Sequence, residues 1–344
     1  MGLLVISKED IASFIARLVT EYEVVAPVAR ENKFAFAPIT DPAQVRLDYT
    51  TTILPPKKAF LPPEETLFAF KLNGAFTTQP IFDERPRVLL GAHTCDLHAI
   101  KLLDAVFETG FADEHYRKRR AHTLIVSLEC LAPCDEHSFC KSMETLTARD
   151  GYDLHLTDVG DAYTVDVGTE QGKQLLARFA NAGDATRLDL DHLNKKLAAK
   201  WSNFAYRLDF NANDLPAVMA LSYKNPLWEE LGKKCLACGQ CNLVCPTCYC
   251  FNVKDDTGFD HKTGERKRVW DSCQLDEFAR VATGENFRKT RAQRQRHRFF
   301  RKGKYIPEMH GALGCVGCGR CARACLVDIS PVQVFNALHQ TRGL

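Results

Sequence analysis

Eight of the fifteen cysteines in this 344-residue chain fall into two runs with the same spacing, C-x2-C-x2-C-x3-C. In such a run three thiolates bind one iron–sulfur cubane and the fourth thiolate binds a neighbouring cluster. Tetrahedral zinc is satisfied by four ligands in all, so two complete runs exceed what one zinc site needs. Chance spacing of structural cysteines is the alternative, and the duplication argues against it. We therefore predict two [4Fe–4S] clusters, the first bound by Cys235, Cys238, Cys241 and Cys325, and the second by Cys315, Cys318, Cys321 and Cys245.

Four further cysteines lie in the first half of the chain, namely Cys95, Cys130, Cys134 and Cys140. Apolar residues 87–92 and 123–127 predict buried strands, and the spacing of apolar residues in 95–107 predicts a helix between them. Strand, helix and strand in this order form a βαβ unit with parallel strands. Cys95 and Cys130 directly follow the two strands, so both thiols should lie at the carboxyl edge of the sheet, where α/β folds bind ligands.

This group of four predicts a third [4Fe–4S] cluster in the N-terminal domain, away from the paired runs. A zinc site and chemically inert cysteines remain as alternatives. His93 and His137 are close enough in sequence to replace a ligand, although each also fits a solvated loop histidine.

Cys248, Cys250 and Cys273 belong to neither set. They either pack beside a cluster as small apolar residues, or one of them replaces a predicted ligand. A cluster with four cysteine ligands has no open coordination position, so it transfers electrons and performs no substrate chemistry. The sequence also lacks G-x-G-x-x-G after a strand, a phosphate-binding G-x-x-x-x-G-K-[ST] loop and H-E-x-x-H. These patterns predict a non-catalytic electron-transfer subunit without a nucleotide site of its own.

The composition of the chain bears on where in the cell the protein is expected. The formal net charge is +2, no apolar run approaches the roughly 18 residues of a membrane span, and the N-terminus has no basic flank typical of a secretory signal. Thiols grouped at ligand spacing favour metal binding in a reducing compartment over disulfides. We therefore predict a cytoplasmic protein without a membrane span.

A basic segment at 288–304 has nine basic side chains and no acid, and its Arg291, Arg294, Arg298 and Arg301 share one helical stripe. An iron–sulfur protein that binds nucleic acid is one interpretation. Because the net charge is near zero, we prefer a contact with a partner protein or a helix that screens anionic clusters, with no nucleic-acid partner. A plain solvated face is a further alternative.

The fold class predicted is α+β, with an N-terminal α/β domain (1–222) that contains the βαβ unit and an α-helical ferredoxin-like dicluster domain (223–344). Ser7 should cap a helix that ends near Leu18, strands are expected at 66–70 and 162–167, and helices at 172–182 and 192–208. In the C-terminal domain we expect a hairpin over 259–270 that turns at Thr263-Gly264, a helix over 275–281 ended by Gly284, and a helix from Glu285 towards Arg301.

Several blocks taken together resemble the β (iron–sulfur) subunit of cytoplasmic bidirectional NiFe hydrogenases of the sulfhydrogenase type, and its close relative, the corresponding electron-transfer subunit of anaerobic sulfite reductase. The resemblance covers nearly the whole chain. The blocks are Leu61-Pro-Pro-Glu-Glu-Thr-Leu67, Cys95-Asp-Leu-His-Ala-Ile100, Phe139-Cys-Lys-Ser-Met143, Cys245-Pro-Thr-Cys-Tyr-Cys250, Val269-Trp-Asp-Ser-Cys273 and Gly314-Cys-Val-Gly-Cys-Gly-Arg-Cys321.

The resemblance implies a subunit that passes electrons between a NAD(P)H-oxidising flavoprotein subunit, which would hold the FAD, and a NiFe hydrogenase catalytic module. The block at 95–100 is closer to the hydrogenase branch, and the sulfite reductase branch is the alternative. Two positions depart from the family pattern: Ser138 stands where the family has a cysteine, so that Cys134 would replace it, and Leu326 follows Cys325 where ferredoxins often have proline.

Overall fold

The computed structural model describes residues 3–72 and 74–341. Its strands form an eight-stranded sheet, in the order β10-β1-β9-β8-β7-β6-β2-β3, and a four-stranded sheet, in the order β11-β12-β4-β5. In chain order the strands are β1 (Leu4–Ser7), β2 (Glu23–Arg30), β3 (Lys33–Pro38), β4 (Glu64–Lys71), β5 (Thr77–Pro80), β6 (Arg87–His93), β7 (Thr123–Leu128), β8 (Leu154–Asp158), β9 (Ala162–Val167), β10 (Gly183–Asp184), β11 (Phe251–Thr257) and β12 (Thr263–Trp270).

The helices alternate with strands in the first half of the chain and build most of the C-terminal part. In chain order they are α1 (Lys8–Leu18), α2 (Thr94–Glu108), α3 (Glu114–Ala121), α4 (Glu170–Phe179), α5 (Arg187–Asn203), α6 (Leu215–Leu221), α7 (Leu227–Lys234), α8 (Gln240–Leu243), α9 (Arg291–Phe300), α10 (Ile306–His310), α11 (Arg320–Arg323) and α12 (Pro331–Gln340). Within the described ranges, no helix combines the length and the apolarity that crossing a membrane requires.

The predicted βαβ unit is confirmed. Strand β6 pairs in parallel with β2 and β7, β7 pairs in parallel with β8, and α2 connects β6 to α3 and β7. All seven residues of β6 are buried, as expected for a parallel strand covered on both faces. This arrangement fixes the carboxyl ends of β6 and β7 side by side.

The predicted first helix is also confirmed. Ser7 is the N-cap of α1, and its hydroxyl accepts a hydrogen bond from the Asp10 backbone N–H at 3.0 Å. Phe14, Ile15 and Leu18 are buried against the large sheet. The helices expected near 172–182 and 192–208 exist as α4 and α5, although each begins and ends earlier.

The hairpin exists, but the predicted turn at Thr263-Gly264 is wrong, because both residues lie within β12. The connection runs through Gly258 to Lys262 and is held by Asp260, whose carboxylate accepts hydrogen bonds from the backbone N–H groups of Lys262 and Thr263 at 2.9 and 3.1 Å. Strand β11 is exposed along its whole length, so it has no apolar alternation that would mark it in the sequence. The hairpin pairs with β4 from the first half of the chain.

The helix expected over 275–281 is wrong as well, since only a single 3-10 turn forms there, at Glu277–Ala279. The next helix begins at Arg291, later than Glu285, because Thr290 and Gln293 form a capping box at its start. Beyond Phe300 it continues through a π-helical segment, Arg301–Tyr305, into α10.

Arg268 of β12 joins the hairpin to the N-terminal half through buried ion pairs. Its Nε donates to Glu65 at 2.7 Å and its Nη1 to Asp113 at 2.5 Å, while only 2% of the Arg268 surface is exposed. Buried carboxylates are stable only while such a partner balances their charge.

Arg268→Met should therefore lower the free energy of unfolding by about 1–3 kcal/mol, because Asp113 loses its partner whereas Glu65 keeps its buried ion pair with Arg119 at 3.0 Å. Urea unfolding followed by circular dichroism measures the change. Arg266→Met is the matched control: Arg266 lies two residues away, and its ion pair with Asp255 is exposed to solvent, so stability should change little. Equal losses in the two variants would contradict this interpretation.

Candidate iron–sulfur sites

The four cysteines predicted for the first cluster line one concavity. Cys235 follows α7 directly, Cys238 precedes α8, Cys241 lies within α8, and Cys325 approaches from the second run just after α11. The structure thus brings the fourth thiol across from the other run, as the spacing predicts. A donor set of four thiols around a shared space fits an iron–sulfur cubane.

Left-handed backbone residues shape both cysteine runs in the same way. In the first run Ala237 and Gly239 have φ values of 56° and 79°, and in the second Gly317 and Gly319 have φ values of 70° and 72°. These residues turn the chain around the enclosed space, so that the Ala237 N–H donates to the Cys235 sulfur at 3.3 Å. The Gln295 side chain of α9 donates to the same sulfur at 2.9 Å.

The second predicted set, Cys245, Cys315, Cys318 and Cys321, is also gathered in one place. Burial raises the pKa of Cys318 to about 11, Arg320 opposes this rise, and the neighbouring Cys245 and Cys321 add to it. Burial and the nearby Cys321 likewise raise the pKa of Cys315. Cys245 differs from these thiols: a hydrogen bond from Cys248 lowers its pKa, burial opposes this, and the nearby Lys302 lowers it further.

The N-terminal cysteines meet at the carboxyl edge of the large sheet. Cys95, Cys130 and Cys140 belong to one buried cluster, and the Thr94 hydroxyl donates to the Cys130 sulfur at 3.4 Å. The Cys134 sulfur lies 3.9 Å from His93 Nδ1. Burial raises the pKa of Cys130 to about 11 and that of Cys134 to about 12.

This third group does not lie away from the paired runs, so that expectation is wrong. Cys318 packs against it, the Phe139 N–H donates to the Gly317 carbonyl at 2.8 Å, and the Thr145 hydroxyl donates to the Val316 carbonyl at 2.6 Å. The loop that carries Cys140 therefore covers the loop of the second run. The first and second halves of the chain build this region together.

Two features of the third group could not be anticipated from spacing. Arg320 of the second run forms a bidentate ion pair with Asp96, at 2.6 and 2.9 Å, and both side chains are buried. His93 is not a solvated loop histidine: it is buried and stacks on Tyr49, with ring centroids 4.2 Å apart. His137, in contrast, is only half-buried on its loop.

The geometry also bears on the zinc alternative for the third group. In the parts of the chain that the structure describes, no three His, Cys, Asp or Glu side chains converge closely enough to hold a single metal ion. A zinc site requires that its ligands share one ion, whereas the cysteines of a cubane bind different irons.

The basic stripe on α9 faces inward over much of its length. Arg298 is buried, and the neighbouring Cys241 and Cys321 raise its pKa although burial opposes this. Arg294 is buried and paired with Asp276 at 2.7 Å. Nucleic-acid binding needs exposed cations, so this placement favours the interpretation that α9 screens the anionic sites.

Comparisons with known proteins support a dicluster domain in the C-terminal part of the chain. A sequence model described as a 4Fe-4S dicluster domain matches residues 234–329, which include both cysteine runs. The chain is 35% identical over 333 residues to a protein of Pyrococcus furiosus named sulfhydrogenase 2 subunit beta, covering 96% of this chain and 97% of that relative. No solved structure matches the chain.

Replacement of Gly317 would test the contact between the loop of the second cysteine run and the loop that carries Cys140. A Cβ atom on Gly317 would lie 2.6 Å from both the Cα and the N of Cys140, whereas one on Gly311 would meet nothing within 4 Å. Both glycines have a left-handed φ, 70° and 68°, so alanine costs roughly 1–2 kcal/mol of backbone strain at each.

We expect Gly311→Ala to reduce only stability, and Gly317→Ala also to reduce iron content and change the iron–sulfur spectrum. Iron analysis and electron paramagnetic resonance (EPR) of the dithionite-reduced chain measure the difference. Identical iron contents and spectra in the two variants would show that the Cys140 loop does not depend on this contact.

Proposed function

Because the chain belongs to the family of sulfhydrogenase beta subunits, we propose that it relays electrons between a NiFe hydrogenase catalytic module and a NAD(P)H-oxidising flavoprotein subunit. The chain is an iron–sulfur electron-transfer subunit with a 4Fe-4S dicluster domain. The proposed relay is supported by the placement of the three thiol groups next to one another, with Cys318 of the second set packed against the third group. The FAD would belong to the flavoprotein partner.

We assign three clusters to these groups, with the ligands predicted from the sequence. Each group provides four thiols and is lined by backbone N–H donors or buried cations, which suits an anionic cluster. A bound cluster supplies one-electron transfer. The residues of the chain hold the three groups close together, and the loop that carries Cys140 packs over the loop of the second run.

The first group lies at the surface and is the proposed contact with a partner. Cys238 is exposed, and the apolar side chains of Leu236 and Leu326 beside it are 55% and 70% exposed. Exposed apolar side chains next to a redox centre suit a protein interface that brings two centres close. Docking here would place the partner's centre beside the first cluster, with the third group at the far end of the series.

If the chain only relays electrons, the isolated chain should have no catalytic activity. Purified and reconstituted with iron and sulfide, it should be reduced by dithionite, but it should neither oxidise NAD(P)H with an artificial acceptor nor evolve hydrogen. The co-purified complex serves as the positive control for both activities. NAD(P)H oxidation by the isolated chain would overturn the proposal.

If the third cluster exists, Cys130→Ser should remove about four irons per chain, which is the content of one cubane. The same variant should also lack one EPR signal. Ser138→Ala is the matched control, because Ser138 is buried in the same loop and has no thiol to lose. The full chain is required, since residues of the second run complete this region. A Cys130→Ser protein that is folded and keeps all its iron would leave these thiols as packing residues.

A further inference from the structure

The three cysteines outside the proposed clusters, Cys248, Cys250 and Cys273, lie together rather than apart. One amide nitrogen, Asn242 Nδ2, donates to the Cys248 sulfur at 3.2 Å and to the Cys273 sulfur at 3.4 Å, so these sulfurs are near neighbours. Cys250 is in hydrogen-bonding contact with Cys273, and Cys248 is in the same kind of contact with Cys245 of the second set. Gln274 Nε2 donates to the Cys273 sulfur at 3.5 Å.

These cysteines line a cavity of about 350 Å³. That volume falls within the usual range for sites that bind small molecules and cofactors, about 300–1,000 Å³. Across from the thiols the lining includes His297, Arg288 and Arg301. The Nε atom of Arg288 is buried and has no hydrogen-bond partner, which points to a missing acceptor in the cavity.

Three buried cations surround the thiols without a carboxylate to balance them. Lys57 donates to the Cys248 carbonyl at 2.6 Å, Lys302 to the Thr247 hydroxyl at 2.6 Å, and Arg298 to the Gln295 side chain at 3.5 Å, all of which are neutral groups. Among the described residues, none of the three has a carboxylate within ion-pairing distance. Buried cations need a compensating negative charge. Arg298 and Lys302 also face Cys241, Cys321 and Cys245 of the first two sets, whereas Lys57 lies directly beside Cys248.

We propose that Cys248, Cys250 and Cys273 bind a further [4Fe–4S] cluster through three thiolates, with the fourth iron facing the cavity. Inert packing would require neither the cavity, nor the unpartnered Arg288 Nε beside it, nor the buried Lys57 at Cys248. Substitution for a ligand of the second set would use one thiol and leave two unexplained. The proposed site accounts for all three cysteines, and the open position beside Arg288 and Arg301 suits a small anion.

Iron content of the full reconstituted chain tests the cluster. Cys273→Ser should lose about four irons, and the double variant Cys130→Ser/Cys273→Ser should lose about eight, because the two sites are separate. Phe278→Leu is the matched control: it changes the cavity wall without removing a donor, and its iron content should equal that of the unmodified chain. A folded Cys273→Ser protein that keeps all its iron overturns the proposal, whatever Cys130→Ser does.

Cyanide tests the open position. As a small anion that binds iron, it should shift one EPR signal of the unmodified chain, and that signal should be missing in Cys248→Ser, Cys250→Ser and Cys273→Ser. Clusters with four cysteine ligands offer cyanide no free iron, so their signals should stay unchanged. A spectrum insensitive to cyanide, or a shift that persists in Cys273→Ser, overturns the open position.

Discussion

The buried ion pair between Asp96 and Arg320 is the contact on which the arrangement of the cysteines depends. Asp96 follows Cys95 in the first turn of α2, and Arg320 precedes Cys321 in the second run, so the pair joins two cysteine groups that are more than 200 residues apart in sequence. Loss of either partner would leave a buried charge uncompensated, which typically costs about 3–5 kcal/mol. The ion pair therefore makes the sheet edge and the second run one structural unit, and it keeps Cys318 against the third thiol group.

Charge balance explains why so many basic side chains are buried in a chain whose net charge is only +2. Arg298 and Lys302 lie among thiols, and those thiols raise the pKa of both although burial lowers it. Such cations would be unfavourable in an apolar core, and they become favourable once thiolates and clusters add negative charge. Assembly of the clusters and folding of this region should therefore support each other, because each supplies the charge that the other needs.

The sequence predicted what short-range patterns control. The Ser7 cap, the buried strands β6 and β7 and the parallel βαβ unit follow from local capping and apolar spacing, and the family of the chain follows from the cysteine runs and flanking blocks. The predicted turn of the hairpin is misplaced because β11 is an exposed strand without apolar alternation. The start of α9 could have been predicted, since Thr290 and Gln293 form a capping box with a recognisable sequence pattern. The contact of the third group with the second run depends on long-range pairs such as Asp96 with Arg320, which no spacing reveals. The sequence also leaves open which way Arg298 faces, because the orientation of a helix face depends on the elements packed against it.

The two cysteine runs share spacing and backbone conformation, yet what covers them makes them different. The loop around Cys140 covers the second run and requires glycine at Gly317, because a Cβ atom there would collide with the Cys140 backbone. At the equivalent position of the first run Ala237 is tolerated at a left-handed φ of 56°, and Leu236 and Cys238 beside it are exposed. A duplicated motif has thus become one site that is covered by the Cys140 loop and one that is not. In an electron relay only the uncovered site can approach a partner's redox centre directly, so the cover over the second run determines where electrons enter or leave this end of the chain.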